Sequence, residues 1–264
     1  MELAWKGRPA HVREMGQGPA VVLVHGYPLD GAMWSGVARN LSEHFRVLKP
    51  DLPGRGGTAA PPSVRLEDSA DFLETILAAL PEPVGLAGFS RGGYAVLSVA
   101  ARAPRNLRAL ALLDTRADGE DAAGRARRDE AIAAVRSGGA AAIAEEMIRR
   151  LLAPDSLRNR ELVERVRRLI LRQNAETLEA DLEAMRERPD QTAALPRIAV
   201  PTLVMVGEED AISTPAEARR MAEAIPGARL VMIPGAGHLS PMERPGPVAA
   251  ALGDFFASAL APSQ

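Results

Sequence analysis

A few residues of this 264-residue chain can do bond-making chemistry, and their spacing says which kind. Gly88-Phe89-Ser90-Arg91-Gly92 has the pattern G-x-S-x-G and lies between an apolar run and a segment of helical spacing. In that setting a sharp strand-to-helix turn strains the serine and presents its Oγ above the C-terminal edge of a sheet, near the positive end of the next helix. The flanking glycines remove Cβ atoms that would clash across such a turn. A serine hydroxyl is a weak nucleophile until a neighbouring base takes its proton. The chain has four histidines. His11 falls in an N-terminal hairpin and His44 at a helix end, and both suit the surface. His25 ends the first buried run, where it suits bracing of the loop that follows. His238 ends Gly235-Ala236-Gly237-His238, a loop able to carry an imidazole back across the sheet edge, and is the expected base.

That base needs a carboxylate to fix its tautomer and stabilise its charged form. Asp210, in Gly207-Glu208-Glu209-Asp210, gives the chain order Ser90, Asp210, His238 and is the favoured partner. Asp114, which also ends an apolar run, is its rival. Glu208 and Glu209 read as solvated loop charges, and Asp51 as a turn residue. A tetrahedral intermediate needs N–H donors for its oxyanion. The backbone N–H groups of Arg91 and of Tyr27, in His25-Gly26-Tyr27-Pro28, are the expected donors.

The elements that must position these groups are legible as short apolar runs. Residues 20–24, 46–49, 84–88, 107–113, 202–206 and 229–233 are near-continuous in Val, Leu, Ile and Ala, as suits strands buried on both faces of a mainly parallel sheet. Helical patterns fall at about 31–42, 66–80, 91–103, 215–225 and 241–260, so the chain is α/β. Thr214-Pro215 and Ser240-Pro241 each offer a hydroxyl cap before a proline suited to a helix start. Residues 2–14 alternate weakly and suit an antiparallel edge hairpin. Residues 116–195 contain no strand-like run. Gly138-Gly139, Pro154 and Pro189 punctuate them into four helices, the pattern of a helical cap over one end of the sheet; a dimer surface or second helical domain is the alternative. The core is then 1–115 with 196–264, and the cap 116–195.

Composition removes several classes. The chain is 47% hydrophobic with a net charge of −2, which argues against a nucleic-acid binder. The absence of cysteine excludes a thiol nucleophile and cysteine-held metal centres. No stretch approaches the ~20 apolar residues that cross a bilayer, and residues 1–16 carry five charges without a signal core, so a cytoplasmic protein, monomeric or homodimeric and without a membrane partner, is expected.

With the motifs His25-Gly26-Tyr27-Pro28, Asp51-Leu52-Pro53-Gly54-Arg55-Gly56, Gly88-Phe89-Ser90-Arg91-Gly92, Gly207-Glu208-Glu209-Asp210 and Gly235-Ala236-Gly237-His238, the chain resembles the α/β-hydrolase superfamily. His25 to Trp34 is similar to the small bacterial esterase, enol-lactonase and cofactor-free haloperoxidase branch. The resemblance implies an eight-stranded, mostly parallel sheet, a cap between the sixth and seventh strands, and a Ser-His-Asp triad working without cofactor or metal. Arg55 and Arg91 depart from it, where many relatives carry histidine and methionine or leucine; Arg91 is expected in a salt bridge at or beneath the surface. Serine at the turn, where haloalkane and epoxide hydrolases have aspartate, implies acyl transfer on a small-molecule ester. A carboxylesterase for small to medium uncharged acyl groups is expected, with Trp34 and Phe89 beside the acyl pocket. A lactonase, a perhydrolase or haloperoxidase activity, and a non-catalytic ligand receptor are the alternatives.

Overall fold

A computed structural model describes residues 2–59, 65–80 and 83–261. The N-terminal alternation forms the expected hairpin, β1 (Glu2–Trp5) and β2 (Arg8–Met15). The six apolar runs are β3 (Ala20–Val24), β4 (Arg46–Pro50), β5 (Val84–Phe89), β6 (Leu107–Leu113), β7 (Thr202–Gly207) and β8 (Arg229–Ile233). They join in one eight-stranded sheet of order β1-β2-β4-β3-β5-β6-β7-β8. β2 is antiparallel to both β1 and β4, and every other pair is parallel.

Every residue of β3, β5 and β7 is buried, so these strands need apolar or small side chains on both faces. Alternate residues supply two cores. On one face Val22, Leu86, Leu112 and Val204 pack with α2 (Leu66–Ala78), α3 (Arg91–Arg102) and α7 (Pro215–Ala224). On the other, Val21, Leu23, Ala87 and Leu203 pack with α1 (Ser35–Leu41) and α9 (Pro245–Ala259). Between β6 and β7 come α4 (Ala122–Leu151), α5 (Arg160–Leu171) and α6 (Ala175–Arg186). α4 bends at Gly139, whose φ of +62° is open to glycine and strained for other residues, so the expected break is a kink and the segment has four helical arms. Asp121, Asn159 and Asn174 cap α4, α5 and α6 by accepting from backbone N–H groups of each first turn. Among the described residues no helix is long and apolar enough to cross a membrane.

Two local expectations change. The helix foreseen over 241–260 is two, α8 (Ser240–Glu243) and α9, broken at Arg244. Pro245 disfavours helical backbone in the residue before it, and Arg244 sits at φ −134°, ψ 58°. Ser240 caps nothing, because its hydroxyl is buried and donates to Asp114 Oδ2 at 2.5 Å. Thr214 does cap α7, in a reciprocal box with Glu217.

The parallel strands all end at one edge, and each chemistry-bearing residue follows one of them: Tyr27 after β3, Ser90 after β5, Asp114 after β6, Asp210 after β7 and His238 after β8. Gly92 admits a close backbone approach at that edge. A Cβ there would stand 2.5 Å from His25 O and 2.7 Å from Val24 O. Gly92→Ala is therefore expected to destabilise the protein by about 2 kcal/mol or more in urea unfolding, as overpacking against rigid backbone does.

Candidate active site

Ser90 has φ +50°, ψ −117°, a conformation unfavourable for any residue with a Cβ. It is held on both sides: Ser90 N donates to Leu113 O at 2.9 Å, and Thr115 Oγ1 donates to Ser90 O at 2.8 Å. A Cβ at Gly88 would stand 2.6 Å from Gly92 O, so the glycine on each side of the serine is required by backbone contact.

The turn delivers Ser90 Oγ to 2.9 Å from His238 Nε2, while His238 Nδ1 lies 2.8 Å from Asp210 Oδ2. An ionised carboxylate can only accept, so Nδ1 carries the ring proton and Nε2 is left to accept from the serine. The second oxygen of Asp210 accepts from Ile212 N at 2.7 Å and Ser213 N at 2.9 Å, which fixes the carboxylate plane. His238 and Asp210 are only 2% and 3% exposed, whereas Ser90, at 9%, is the member open to a reactant. The Phe89 ring lies 5.2 Å from that of His238.

Asp114 does not reach the imidazole. Its Oδ1 accepts from Gly207 N at 2.8 Å and its Oδ2 from Ser240, so it ties the end of β6 to β7 and to α8. Burial raises its carboxyl well above the usual range, and the nearby Asp210 charge adds to the shift. The other expected brace is present. His25 Nε2 accepts from Leu52 N at 2.9 Å, and its Nδ1 lies 3.2 Å from Gly26 O. Burial pushes His25 down to about 4, and it stays neutral near pH 7. His11 meets Asp51 Oδ2 at 2.7 Å, and buried Asp51 also accepts from Gly31 N and Gly57 N, so it joins three segments and is more than a turn residue. His44 is exposed.

Among the described residues, neither Tyr27 N nor Arg91 N donates to a backbone acceptor, so both are open to an oxygen placed between them and Ser90. The Arg91 side chain turns away from the surface. It is 2% exposed, and its Nη2 stands 2.7 Å from Asp181 Oδ1. Arg55 binds the same carboxylate through Nε and Nη2, so the two departures from the motif pattern meet on one acid. Burial raises the Asp181 carboxyl, and the flanking guanidiniums of Arg55 and Arg91 outweigh it and hold the group below its ordinary value.

A cavity of about 580 Å³ borders the site through Tyr27 on one side and Ala211 and Ile212, next to Asp210, on the other. Ala131, Ala134, Ile143, Met147 and Leu182 of the helical segment make its apolar wall, and four arginines (Arg116, Arg127, Arg128, Arg150) and three glutamates (Glu120, Glu130, Glu146) make its charged one. Trp34 and Phe89, the expected pocket residues, are fully buried in an edge-on pair with centroids 6.4 Å apart, and this wall includes neither.

The sequence matches the family model for the alpha/beta hydrolase fold over residues 19–245. The chain belongs to the α/β-hydrolase family. A pimeloyl-[acyl-carrier protein] methyl ester esterase of Stenotrophomonas maltophilia is 31% identical over 96% of this chain and 98% of its own. A thermophilic esterase from Thermogutta terrifontis superposes with a TM-score of 0.92 at 38% identity, covering 98% of this chain and 97% of that one. The enol-lactonase of Burkholderia xenovorans follows at 0.89 and 29%, covering 97% and 100%. The expectation of a hydrolase in the esterase and lactonase branch holds.

Sequence reasoning missed two carboxylates in this α/β-hydrolase. Glu243 accepts from Ala153 N at 2.8 Å and Gly237 N at 2.9 Å, pinning the loop of His238 to the residues just after α4. Asp181 was lost among the 16 acids of residues 116–195; its one signal is a helical face shared with Leu178, Leu182 and Met185.

Asp210→Asn is expected to lower kcat by about 10⁴-fold, since an amide presents the wrong hydrogen-bond pattern to Nδ1. Asp114→Asn is expected to keep most activity, because its Oδ1 still accepts from Gly207 and its amide can donate to Ser240. A carboxyl raised by folding loses its stabilising contribution as pH rises, so the melting temperature of Asp114→Asn relative to wild type is expected to improve between pH 5 and pH 8. His25 has the opposite sign: an imidazole lowered by folding stabilises above its ordinary range and loses that contribution as pH falls towards 4. Melting curves of His25→Gln should therefore start lower at neutral pH and fall less on acidification than those of wild type.

Proposed function

We propose that this α/β-hydrolase is a serine carboxylic ester hydrolase acting on small to medium, uncharged acyl esters through an acyl-enzyme. The observation that carries the reading is the continuous hydrogen-bonded chain from Ser90 Oγ through His238 to Asp210, at 2.9 and 2.8 Å. Ser90 Oγ attacks the ester carbonyl carbon as His238 Nε2 takes its proton. Asp210 Oδ2 holds the Nδ1–H and stabilises the imidazolium. The carbonyl oxygen, now an anion, accepts from the backbone N–H groups of Tyr27 and Arg91; each such donor contributes about 3–4 kcal/mol in comparable enzymes. The intermediate collapses, the alcohol leaves with the proton from His238, and a water activated by the same imidazole releases the acid and restores Ser90.

The helical segment 116–195 is the proposed cap. Its apolar residues on the cavity wall suit an alkyl chain, and Tyr27, whose N–H is one of the expected oxyanion donors, also lines that cavity. Esterases at 31% and 38% identity support the substrate class. Trp34 and Phe89 support the pocket from behind in this reading, through the Phe89 contact with His238.

Hydrolysis of p-nitrophenyl esters from acetate to octanoate tests the reading, with Ser90→Ala as control. Activity should peak at short to medium chains and fall by about 10⁴-fold or more in the variant, since removal of a triad nucleophile does so elsewhere. Faster turnover of lactones than of linear esters would move the assignment to a lactonase using the same residues. Hydrolysis surviving in Ser90→Ala would remove Ser90 as nucleophile.

A further inference from the structure

We propose that Asp181 is a positioning residue for the ester reaction: from α6 it holds in register the two segments that carry the backbone donors of the oxyanion site. The proposal rests on the serine-hydrolase reading above, in which those donors are the N–H groups of Arg91 and Tyr27.

The geometry is a buried relay. Arg91 is the first residue of α3, and the guanidinium of this same residue ends on Asp181 Oδ1 at 2.7 Å. Arg55, from the loop after β4, donates its Nε to Asp181 Oδ2 at 3.1 Å and lies with its Cζ 5.7 Å from the centre of the Tyr27 ring. Arg55 Nη1 donates to Gln173 Oε1 at 3.2 Å, and Gln173 Nε2 donates to Asp30 Oδ2 at 3.0 Å. Asp30 closes the relay, since it also caps the turn at Gly31–Trp34 by accepting from Ala32 N. Arg55, Arg91 and Asp181 are each no more than 2% exposed. One carboxylate thus serves two buried guanidiniums, and through them it reaches both segments that carry a donor.

The charge count explains why the position is sensitive. Water does not screen like charges in a dry site, so without Asp181 the two guanidiniums must separate. A displaced Arg91 guanidinium pulls on the first residue of α3, whose N–H is one donor; a displaced Arg55 takes from Tyr27 the group packed on its ring. Donors act only when held near 2.7–3.1 Å from the developing oxyanion, so small displacements are costly. A role for Arg91 in gripping an anionic substrate is disfavoured by its burial and by its polar side-chain contacts among the described residues, Asp181 and, at 3.4 Å, Ser69 Oγ. A stabilising role alone is also a poor explanation, because buried ion clusters can often be replaced by apolar side chains without loss of stability.

The test compares Asp181→Asn, Asp181→Glu and the neutral triple variant Arg55→His/Arg91→Met/Asp181→Leu, with competent sites counted by a fluorophosphonate that labels Ser90. Asp181→Asn is expected to lower kcat per site by about ten- to a hundredfold with KM within about threefold, somewhat less than outright loss of one donor. Affinity for a trifluoromethyl ketone, whose adduct with Ser90 carries the oxyanion, should weaken by the same factor, and Asp181→Glu should recover part of both. The triple variant removes the repulsion and the tie together, so it should melt near the wild-type temperature yet keep the kcat deficit. Full kcat in Asp181→Asn, or in the triple variant, overturns the proposal and leaves Asp181 as a mere counterion. If Asp181→Asn does not fold, the triple variant decides alone. Hydrolysis that survives Ser90→Ala would bring down the underlying reading, and this proposal with it, by a result distinct from either.

Discussion

The hydrogen bond between Ser90 Oγ and His238 Nε2 joins residues 148 positions apart, and most of the irregular backbone around it serves to make it possible. The serine must leave β5 in a strained turn, and that turn requires glycine on both sides. The imidazole must cross back from β8 on a loop pinned by Glu243 and by Leu239 N donating to Leu151 O at 2.9 Å. Strain of this kind persists only where the surroundings over-determine it. Here two strands, a threonine hydroxyl and the end of α4 do so.

Among the carboxyl groups at or near the edge, Asp210, Asp114, Asp51 and Asp181 are given different tasks by their partners. Asp210 accepts from the imidazole and from two backbone amides, which fixes the direction of its carboxylate. Asp114 is buried beside it, and a second full negative charge is disfavoured there, so it acts as a structural clasp. Asp51 joins β2, the loop after β3 and its own turn. Asp181 meets two arginines from the core. Of these four, Asp210 alone faces the imidazole, which is a matter of direction rather than of residue type.

That distinction also marks where the sequence was legible. The strands showed in runs such as Ala20–Val24, because burial on both faces leaves little room for polar residues. His238 stood out because the chain offers four histidines, and Ser90 because it sits in G-x-S-x-G between an apolar run and a segment of helical spacing. Chain order did not separate Asp210 from Asp114, since both follow a strand and lie between Ser90 and His238; only its place after the seventh strand favoured Asp210. The break at Arg244 was written in Pro245, but the helical spacing on either side concealed it. Trp34 and Phe89 were near Ser90 in sequence, yet their side chains point into the core between α1 and β5. The pairing of Arg55 and Arg91 on Asp181 depends on how α6 is seated on the core, and no local pattern records that.

The most direct measurement is intact mass after acid quenching of a millisecond mixture with p-nitrophenyl acetate, followed by peptide mapping. A transient acetyl group on Ser90, absent in Ser90→Ala and slow to form in His238→Ala, is the result expected if the hydrogen bond between them activates the serine. Hydrolysis with no acyl group on Ser90, or with one on another residue, would contradict it.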